Sequence, residues 1–462
     1  MKRLGIFLFL LTACAESAAA AELRVGAAAV NITPPAGTPL AGYYSARGAR
    51  TVLDELFSKA LVLEQDGTKV ALVVCDLISL PRHTVVETRR LIEKQTGIPG
   101  GHVMISATHT HTGPVIARRS ARDRLDGGAS DLGRRYSESL PELIARSVAE
   151  ADKKLTPAQA AAAIGREENL AFNRRFVMRD QTVSWNPRKR HPDIVRPAGP
   201  IDPDVGVVYF EAKNQPLATY VNFAMHPDTV GGEGISADYP GVLARLLADY
   251  KGPEMLTVFA NGCCGNLNHR NISWLDNQKG PHEARRIGTV LAGAVCKTYP
   301  QLRPLSAGGL RAKSALVPLP LAPITPDDVS RAKEVVQRVN DPKTTFMEKV
   351  KAYQVLDVAA REGKPLEVEV QVVTLGDQVA WISLPGEIFV ELGLAIKQAS
   401  PFPYTLIAEL ANGSIGYVPD KPAYPQGNYE VVSARCAEGS GELLVETAVR
   451  LLRELHASRS QQ

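Results

Sequence analysis

Two rhythms of apolar and polar positions run along the chain. Short runs dense in β-branched and other apolar residues read as strands at 23–32, 60–65, 69–75, 102–107, 207–211, 218–225, 255–260, 366–375, 379–384 and 404–410. Between them, apolar residues recurring at helical spacing predict helices at 83–96, 132–155, 241–249, 282–298, 326–339, 345–361, 389–400 and 441–455. No internal repeat, low-complexity tract or Gly/Ser-rich linker interrupts this alternation, so the expected body is mixed α/β, with central sheets flanked by helices. The stretch VSWNPRKRHPDIVRPAGPIDPD at 183–204, rich in Pro and charge, reads as a long surface loop whose basic cluster is a solvated face.

A second pattern lies at the strand ends. VALVVCD ends at Asp76, VMISATHTH at His109 and His111, and TYVNFAMH at His226. LTVFANGCCGNLN ends in a Gly-rich turn, VAWISLPGE at Glu387, and YTLIAELANGSIGY runs out toward Tyr417. In α/β sheets such positions converge at the carboxyl edge, where ligands bind. One polar strand end carries little information, but six predict a common site.

Composition narrows the class. The 462 residues are 45% hydrophobic and 22% charged, the balance of a globular protein with a sizeable core. The formal charge of +4 is small, and the Lys and Arg residues are scattered, which argues against a nucleic-acid partner. The first 21 residues pair Lys2 and Arg3 with a short apolar run and small residues, the pattern of a signal peptide. That run is too short for a membrane span, which needs roughly 20 residues. Cleavage after Ala19-Ala20-Ala21 and lipidation at Cys14 of Leu11-Thr12-Ala13-Cys14 are both open. Either way an exported protein is expected: periplasmic, secreted or lipoprotein-anchored. Among the six cysteines, Cys75 and Cys296 lie in apolar runs as buried thiols, and outside the cytoplasm Cys263 or Cys264 could pair with Cys436.

The chemistry centres on ISATHTHTGP at 105–114. If the strand continues that far, residues i and i+2 share a face, and His109 and His111 project side by side. That suits two imidazoles on one cation, or one ligand and one substrate contact. Adding His226 and Glu387 gives the composition of a catalytic zinc site, two or three histidines with a carboxylate and one open position. Zinc would lower the pKa of bound water to about 7 and polarise a carbonyl, enough for amide hydrolysis at neutral pH. His83, His102, His191, His282 and His456 are read as structural, and His269 is open. In NGCCGNLNHRN at 261–271, Cys263 or Cys264 could be a thiolate nucleophile, but adjacent cysteines in an exported protein are read as oxidised or structural. No Gly-x-Ser-x-Gly elbow supports a serine hydrolase. Arg174 in ENLAFNRRF offers a fixed fork of donors suited to a carbonyl or oxyanion, or else to a surface salt bridge.

Taken in order, these motifs resemble the catalytic domain of the neutral/alkaline non-lysosomal ceramidases, zinc amidases that cleave the N-acyl bond of ceramide. VGAAAVNITPPAGTPLAGY and LDELFSKALVL are similar to that family's opening, and ISATHTHTGP to its His-x-His signature. FNRR, FAMHP, SADYPG, SLPGE and GYVPDKPAYPQGNYE resemble its later motifs, and the likeness spans about residues 24–435. The resemblance implies that His109, His226, Glu387 and Tyr417 surround one zinc ion. It implies too that His111 and Arg174 face the substrate amide and its oxyanion, with Tyr417 a further oxyanion donor.

Two departures qualify it. Gly265-Asn266-Leu267-Asn268-His269-Arg270 stands where the family has Gly-Asp-Val-Ser-Pro-Asn, so Asn268 replaces the serine treated as catalytic. An amide is no nucleophile, so metal-activated water is expected to attack, with Asn268 orienting the substrate. The chain is also too short for the family's additional β-sandwich domain, and a single catalytic domain over 22–462 is expected. The expectation is thus an exported zinc-dependent amidohydrolase acting on ceramide or another N-acyl compound. Association with a membrane surface, through substrate or lipid anchor, stays open. A zinc hydrolase of peptide or ester bonds, and a binding protein that has lost turnover with the serine, are the alternatives.

Overall fold

The computed structural model describes residues 22–118, 120–306 and 308–457. The expected leader and Cys14 lie outside them. Three larger sheets, each with helices on its outer side, enclose a shared apolar core. The first has the order Val103–Ala107, Thr68–Cys75, Phe57–Gln65, Arg24–Asn31, Thr156–Pro157. The second runs Leu256–Asn261, Gln215–Phe223, Asp204–Ala212, Gln159–Arg166, Arg303–Pro304, and the third Leu310–Leu319, Leu366–Leu375, Val379–Ser383, Tyr404–Ala408.

Strands covered on both faces must be apolar at successive positions, and these are. Along Phe57–Gln65, Leu61 and Leu63 enter the shared core, while Ala60 and Val62 face the helices Arg82–Thr96 and Asp131–Lys153. In Asp204–Ala212, Val208 and Phe210 turn inward, and Val207 and Tyr209 meet the helices Asp238–Lys251 and Pro281–Thr298. The third sheet sends Val373, Leu375 and Trp381 inward, and Val370, Val372 and Ile382 toward the helices Val390–Ala399 and Ser440–Ala457. The period of two is present in each strand, but both halves are hydrophobic.

Every expected strand and helix appears, with ends shifted by a few residues. Two long strands had not been expected. QAAAAIGR forms Gln159–Arg166, where burial between neighbours overrides the helical preference of alanine, and Leu310–Leu319 pairs antiparallel along its whole length with Leu366–Leu375. The stretch 183–204 is not a plain loop. Val183–Trp185 and Ile194–Pro197 flank Arg175–Met178 in a small three-stranded sheet.

One feature of the topology builds the site. Each larger sheet contains one parallel pair: Thr68–Cys75 with Val103–Ala107, Gln215–Phe223 with Leu256–Asn261, and Val379–Ser383 with Tyr404–Ala408. The segments leaving these carboxyl ends are tied to the neighbouring sheets: Asn412 N donates to Ile105 O (2.7 Å) and Glu409 N to Asn261 O (3.0 Å), while Gly262 N donates to Phe223 O (2.9 Å) within the second sheet.

Candidate metal centre

The first strand end does not behave as strand alternation predicts. Val103–Ala107 stops two residues before His109, which turns the chain with φ 74°. A left-handed non-glycine residue costs roughly 1–2 kcal/mol and persists only where the surroundings enforce it. Here Thr108 N donates to Cys75 O (2.9 Å), His109 N to Leu77 O (2.8 Å), and Thr110 Oγ1 to Ser236 O (2.6 Å). The same turn brings His111 against Gly42, whose φ is 107°. A Cβ at Gly42 would lie 2.8 Å from the His111 Cβ, so only glycine fits that approach.

His226 follows Gln215–Phe223, and the loop beyond it is pinned by SADYPG. The buried Asp238 carboxylate accepts from Thr229 N and Val230 N (both 2.9 Å) and Thr229 Oγ1 (2.6 Å), while Tyr239 OH donates to Met225 O (2.6 Å). Glu387 belongs to a short strand, Glu387–Ile388, paired parallel with Tyr417–Val418, so Glu387 and Tyr417 are register partners.

These elements converge. Glu387 Oε2 lies 3.3 Å from His226 Nε2 and 3.4 Å from His109 Nε2, and His111 Nε2 is 3.4 Å from His109 Nε2. One ligand atom from each of His109, His111 and His226 falls within 4.8 Å of the others. The far side of each ring decides what the near side offers. His109 Nδ1 and His226 Nδ1 sit 2.8 Å from the carbonyl oxygens of Ile78 and Cys264, which can only accept. Both rings therefore carry hydrogen on Nδ1, and in their neutral form both turn Nε2 lone pairs toward a carboxylate oxygen. Acceptor against acceptor in a buried site is unfavourable, and a cation between them reverses the sign. The donor set, imidazole nitrogens and a carboxylate, suits zinc.

His111 differs. Among the described residues its Nδ1 has no hydrogen-bond partner, and it lies 3.7 Å from Asp228 Oδ1, which accepts from Tyr43 OH (2.6 Å). Its side chain is 12% exposed, against 3% for His109 and 2% for His226. Burial pushes His111 down to about 4 and His226 to about 3, the latter helped by Arg174. Burial also disfavours charge on His109, but Glu387 outweighs it and raises that pKa. Glu387 is held well below the usual carboxylate range because His109 and His226 outweigh its own burial.

Arg174 lies beside His226 and Tyr417, with Nε on Glu430 Oε1 (2.9 Å) and Nη2 donating to Gly265 O (2.6 Å) and Tyr417 OH (3.1 Å), so these two nitrogens are committed to the protein. Its Nη1 lies 3.4 Å from His226 Nε2. Glu430, fully buried, also pairs with Arg175 (3.0 Å), one carboxylate for two guanidiniums. Asn268 is likewise committed: its Nδ2 donates to Asn186 Oδ1 (3.0 Å), its Oδ1 accepts from Arg270 N (3.0 Å), and it does not line the cavity described below.

The expected disulfide is absent among the described residues: Cys75, Cys263, Cys264, Cys296 and Cys436 are all free. Cys263 packs in the apolar cluster of the third sheet with Cys436, without a bond between them. Cys264 Sγ donates to the buried Glu409 (2.9 Å), which also accepts from Cys264 N and Ile388 N. Burial drives both thiols of the Cys263-Cys264 pair well above their usual range, which removes the thiolate nucleophile. Asp76 is spent on Phe57 N and Lys59, outside the site, and His269 Nε2 donates to Gln278 O (2.7 Å). Asp228, Asp238, Glu409 and Glu430 were missed in the sequence. Asp238 and Glu430 lay within quoted motifs, SADYPG and GYVPDKPAYPQGNYE, but no role was drawn for either.

The centre opens into a cavity of about 950 Å³. His109, His111, Glu387 and Tyr417 form its floor, and Ile78, Val86, Leu356, Leu366 and Ile415 line part of its wall. Tyr429 stands 5.3 Å from the Tyr417 ring and 4.6 Å from Trp185, which stacks on Phe346.

No protein-family model matches the chain, and no curated protein matches it in sequence. Solved structures do match. Neutral ceramidase from Pseudomonas aeruginosa superposes with a TM-score of 0.73 at 20% identity, over 94% of this chain and 75% of that one. A ceramidase complexed with C2 gives 0.69 at 18% identity, over 94% and 76%. The mixed α/β fold is that of the neutral ceramidases.

Proposed function

We propose that the chain is a ceramidase-type amidohydrolase that holds zinc on His109, His226 and Glu387 and hydrolyses an N-acyl amide bond. The observation that carries this reading is the convergence of His226 Nε2 and His109 Nε2, each ring held from behind by a carbonyl, on the Glu387 carboxylate at 3.3 and 3.4 Å, a buried donor set that suits a cation in place of the His109 proton. When bound, zinc supplies Lewis acidity toward the amide carbonyl and lowers the pKa of a water to about 7.

The chain's own residues do the rest. Ile78 O and Cys264 O fix the two ligand imidazoles in one tautomer, which raises their basicity as donors. His111, left without a carbonyl partner and facing Asp228, is free to carry a proton at Nε2. In amide hydrolysis the neutral ring takes a proton from the attacking water at Nε2 and passes it to the leaving nitrogen as the C–N bond breaks, with the Asp228 carboxylate favouring the transient imidazolium. Tyr417, bonded by Arg174 and beside Glu387, presents its hydroxyl to the cavity floor, where it supports the oxyanion. Asn268 supplies no nucleophile, so the reading requires water. Export through the N-terminal leader belongs to the same proposal.

The test is metal analysis together with turnover. Purified protein is expected to hold close to one zinc per chain and to hydrolyse N-acyl lipids in a panel that includes ceramide, peptides and esters. His109→Ala and His226→Ala should lose both metal and activity. Full metal content in both variants would overturn the ligand assignment. Turnover confined to peptides or esters, or none at all with zinc bound, would favour another hydrolase or a binding protein.

A further inference from the structure

The cavity over the centre is lined by five arginines: Arg82, Arg118, Arg122, Arg361 and Arg435. Two have short carboxylate partners of their own. Arg435 Nε bonds Asp357 at 2.8 Å, and Arg82 pairs with Glu369 at 2.6 Å. Arg361 is half-buried and spends donors on the carbonyls of Lys364 and Pro365.

Arg118 and Arg122 are different. Among the described residues their shared carboxylate is Asp126, and it stands 4.0 Å from Arg118 and 3.9 Å from Arg122, at the outer limit of an ion pair. Asp126 is itself buried and already accepts from Gly128 N (3.1 Å). Among the described residues Arg122 Nε has no hydrogen-bond partner, and its guanidinium lies 4.0 Å over the Tyr44 ring. The Arg118 guanidinium reaches Ser79 Oγ at 3.4 Å. Of the acidic liners, Glu87 and Glu367 sit at the rim, with Glu87 bonded to Arg90, while Asp357 pairs with Arg435 and Glu387 belongs to the histidine centre. Asp123 and Asp357 add negative charge nearby, but among the described residues no carboxylate oxygen comes closer than 3.9 Å to either half-buried guanidinium, so both forks line the cavity without a hydrogen-bonded anion. Burying such charge is costly unless an anion completes it, and a guanidinium fork matches carboxylate, sulfonate or phosphate oxygens.

We infer that the substrate is an N-acyl amide bearing an anionic group, which Arg118 and Arg122 bind while the apolar wall of Ile78, Val86, Leu356, Leu366 and Ile415 takes a single acyl chain. This rests on the amidase reading of the centre and deepens it: a neutral amide would leave the two cations as they are.

The experiment compares probes that share one chain. They are N-lauroylglycine and N-lauroyltaurine, anionic on the amine side, the dodecanedioic acid monoamide of ethylamine, anionic on the acyl side, and neutral N-lauroylethanolamine. Zinc-loaded protein is expected to favour at least one anionic probe by about ten-fold or more in kcat/KM, expressed in KM and weakened between about 20 and about 500 mM salt. Calorimetric binding should follow the same order. In an Arg118→Gln/Arg122→Gln variant that keeps its melting temperature the ratio should fall toward one, while Arg122→Lys should retain part of it. Equal turnover and equal binding of neutral and anionic probes would overturn the inference and leave the amidase reading intact. Anion-selective binding without turnover of any probe would uphold the two-arginine subsite and overturn the amidase reading.

Discussion

Metal uptake by the metal-free protein is expected to release one proton per zinc between about pH 5 and pH 6.5. Imidazoles with an ordinary pKa of about 6.5 are nearly all protonated at pH 5, so a site built from two or three of them would release two or three protons. Here burial holds His226 near 3 and His111 near 4, so both are already neutral. Glu387 is ionised throughout. Only His109, whose pKa the Glu387 carboxylate raises against the pull of burial, carries a proton that zinc must displace. The logarithm of the zinc affinity should therefore rise by one per pH unit in this window, about 1.4 kcal/mol each. Zinc titrated calorimetrically in buffers of different ionisation enthalpy counts the protons directly, and chelator competition gives the slope. A count of two or more would mean that burial does not depress His111 and His226. A count of zero would mean that no proton bridges His109 and Glu387, and the electrostatic argument for the site would fail. The same shifts act on the fold. The folded pKa values of His111 and His226 lie below the unfolded value, so metal-free protein loses stability as the pH falls through about 6.5, by about 2 kcal/mol per histidine at pH 5. His109 works in the opposite sense: its contribution is full below the unfolded value and is lost as the pH rises through its folded one.

Glu430→Ala would leave Arg174 and Arg175 buried without their shared carboxylate, at an expected cost of about 3–5 kcal/mol in urea unfolding; a loss under about 1 kcal/mol would show that water reaches the pair. Gly42→Ala combines a φ of 107° with a Cβ 2.8 Å from that of His111, so a loss of about 2–4 kcal/mol is expected in thermal melts, together with slower turnover as His111 shifts. Asn268→Ser removes the bond to Asn186 and should cost about 1 kcal/mol of stability while changing kcat on N-acyl amides by no more than about three-fold. A gain of a hundred-fold would reinstate a hydroxyl nucleophile at that position.

The sheets and helices were legible because their apolar runs are long and their neighbours agree with them. Where sequence failed, packing decided. The alanines of Gln159–Arg166 carry no strand signal of their own and are extended because the strands Asp204–Ala212 and Arg303–Pro304 flank them on either side. The polar ends of strands pointed to His109, His111, His226 and Glu387 because a strand that terminates in a polar residue breaks its own pattern, whereas the place of Tyr417 came from the resemblance. Arg174, Glu430 and Asp228 break no pattern. Their roles depend on contacts between elements far apart in the chain, 256 positions in the case of Arg174 and Glu430, and no local rhythm encodes such a contact.

The His-x-His pair shows how far local spacing can mislead while the conclusion drawn from it stays useful. Strand alternation would have made the two rings equivalent neighbours on one face. The chain instead leaves the strand at Ala107, and the left-handed turn at His109 sets the rings nearly perpendicular, 83° between planes, with Nε2 atoms 3.4 Å apart. What distinguishes the two is then outside the motif altogether. His109 is locked from behind by Ile78 O, whereas His111 faces a carboxylate it does not touch. A ring fixed in one tautomer suits a metal ligand, and a ring left unbonded at Nδ1 beside a negative charge suits proton transfer. The difference between these two histidines is thus set by Ile78 and Asp228, one on each side of the pair in sequence and neither within it.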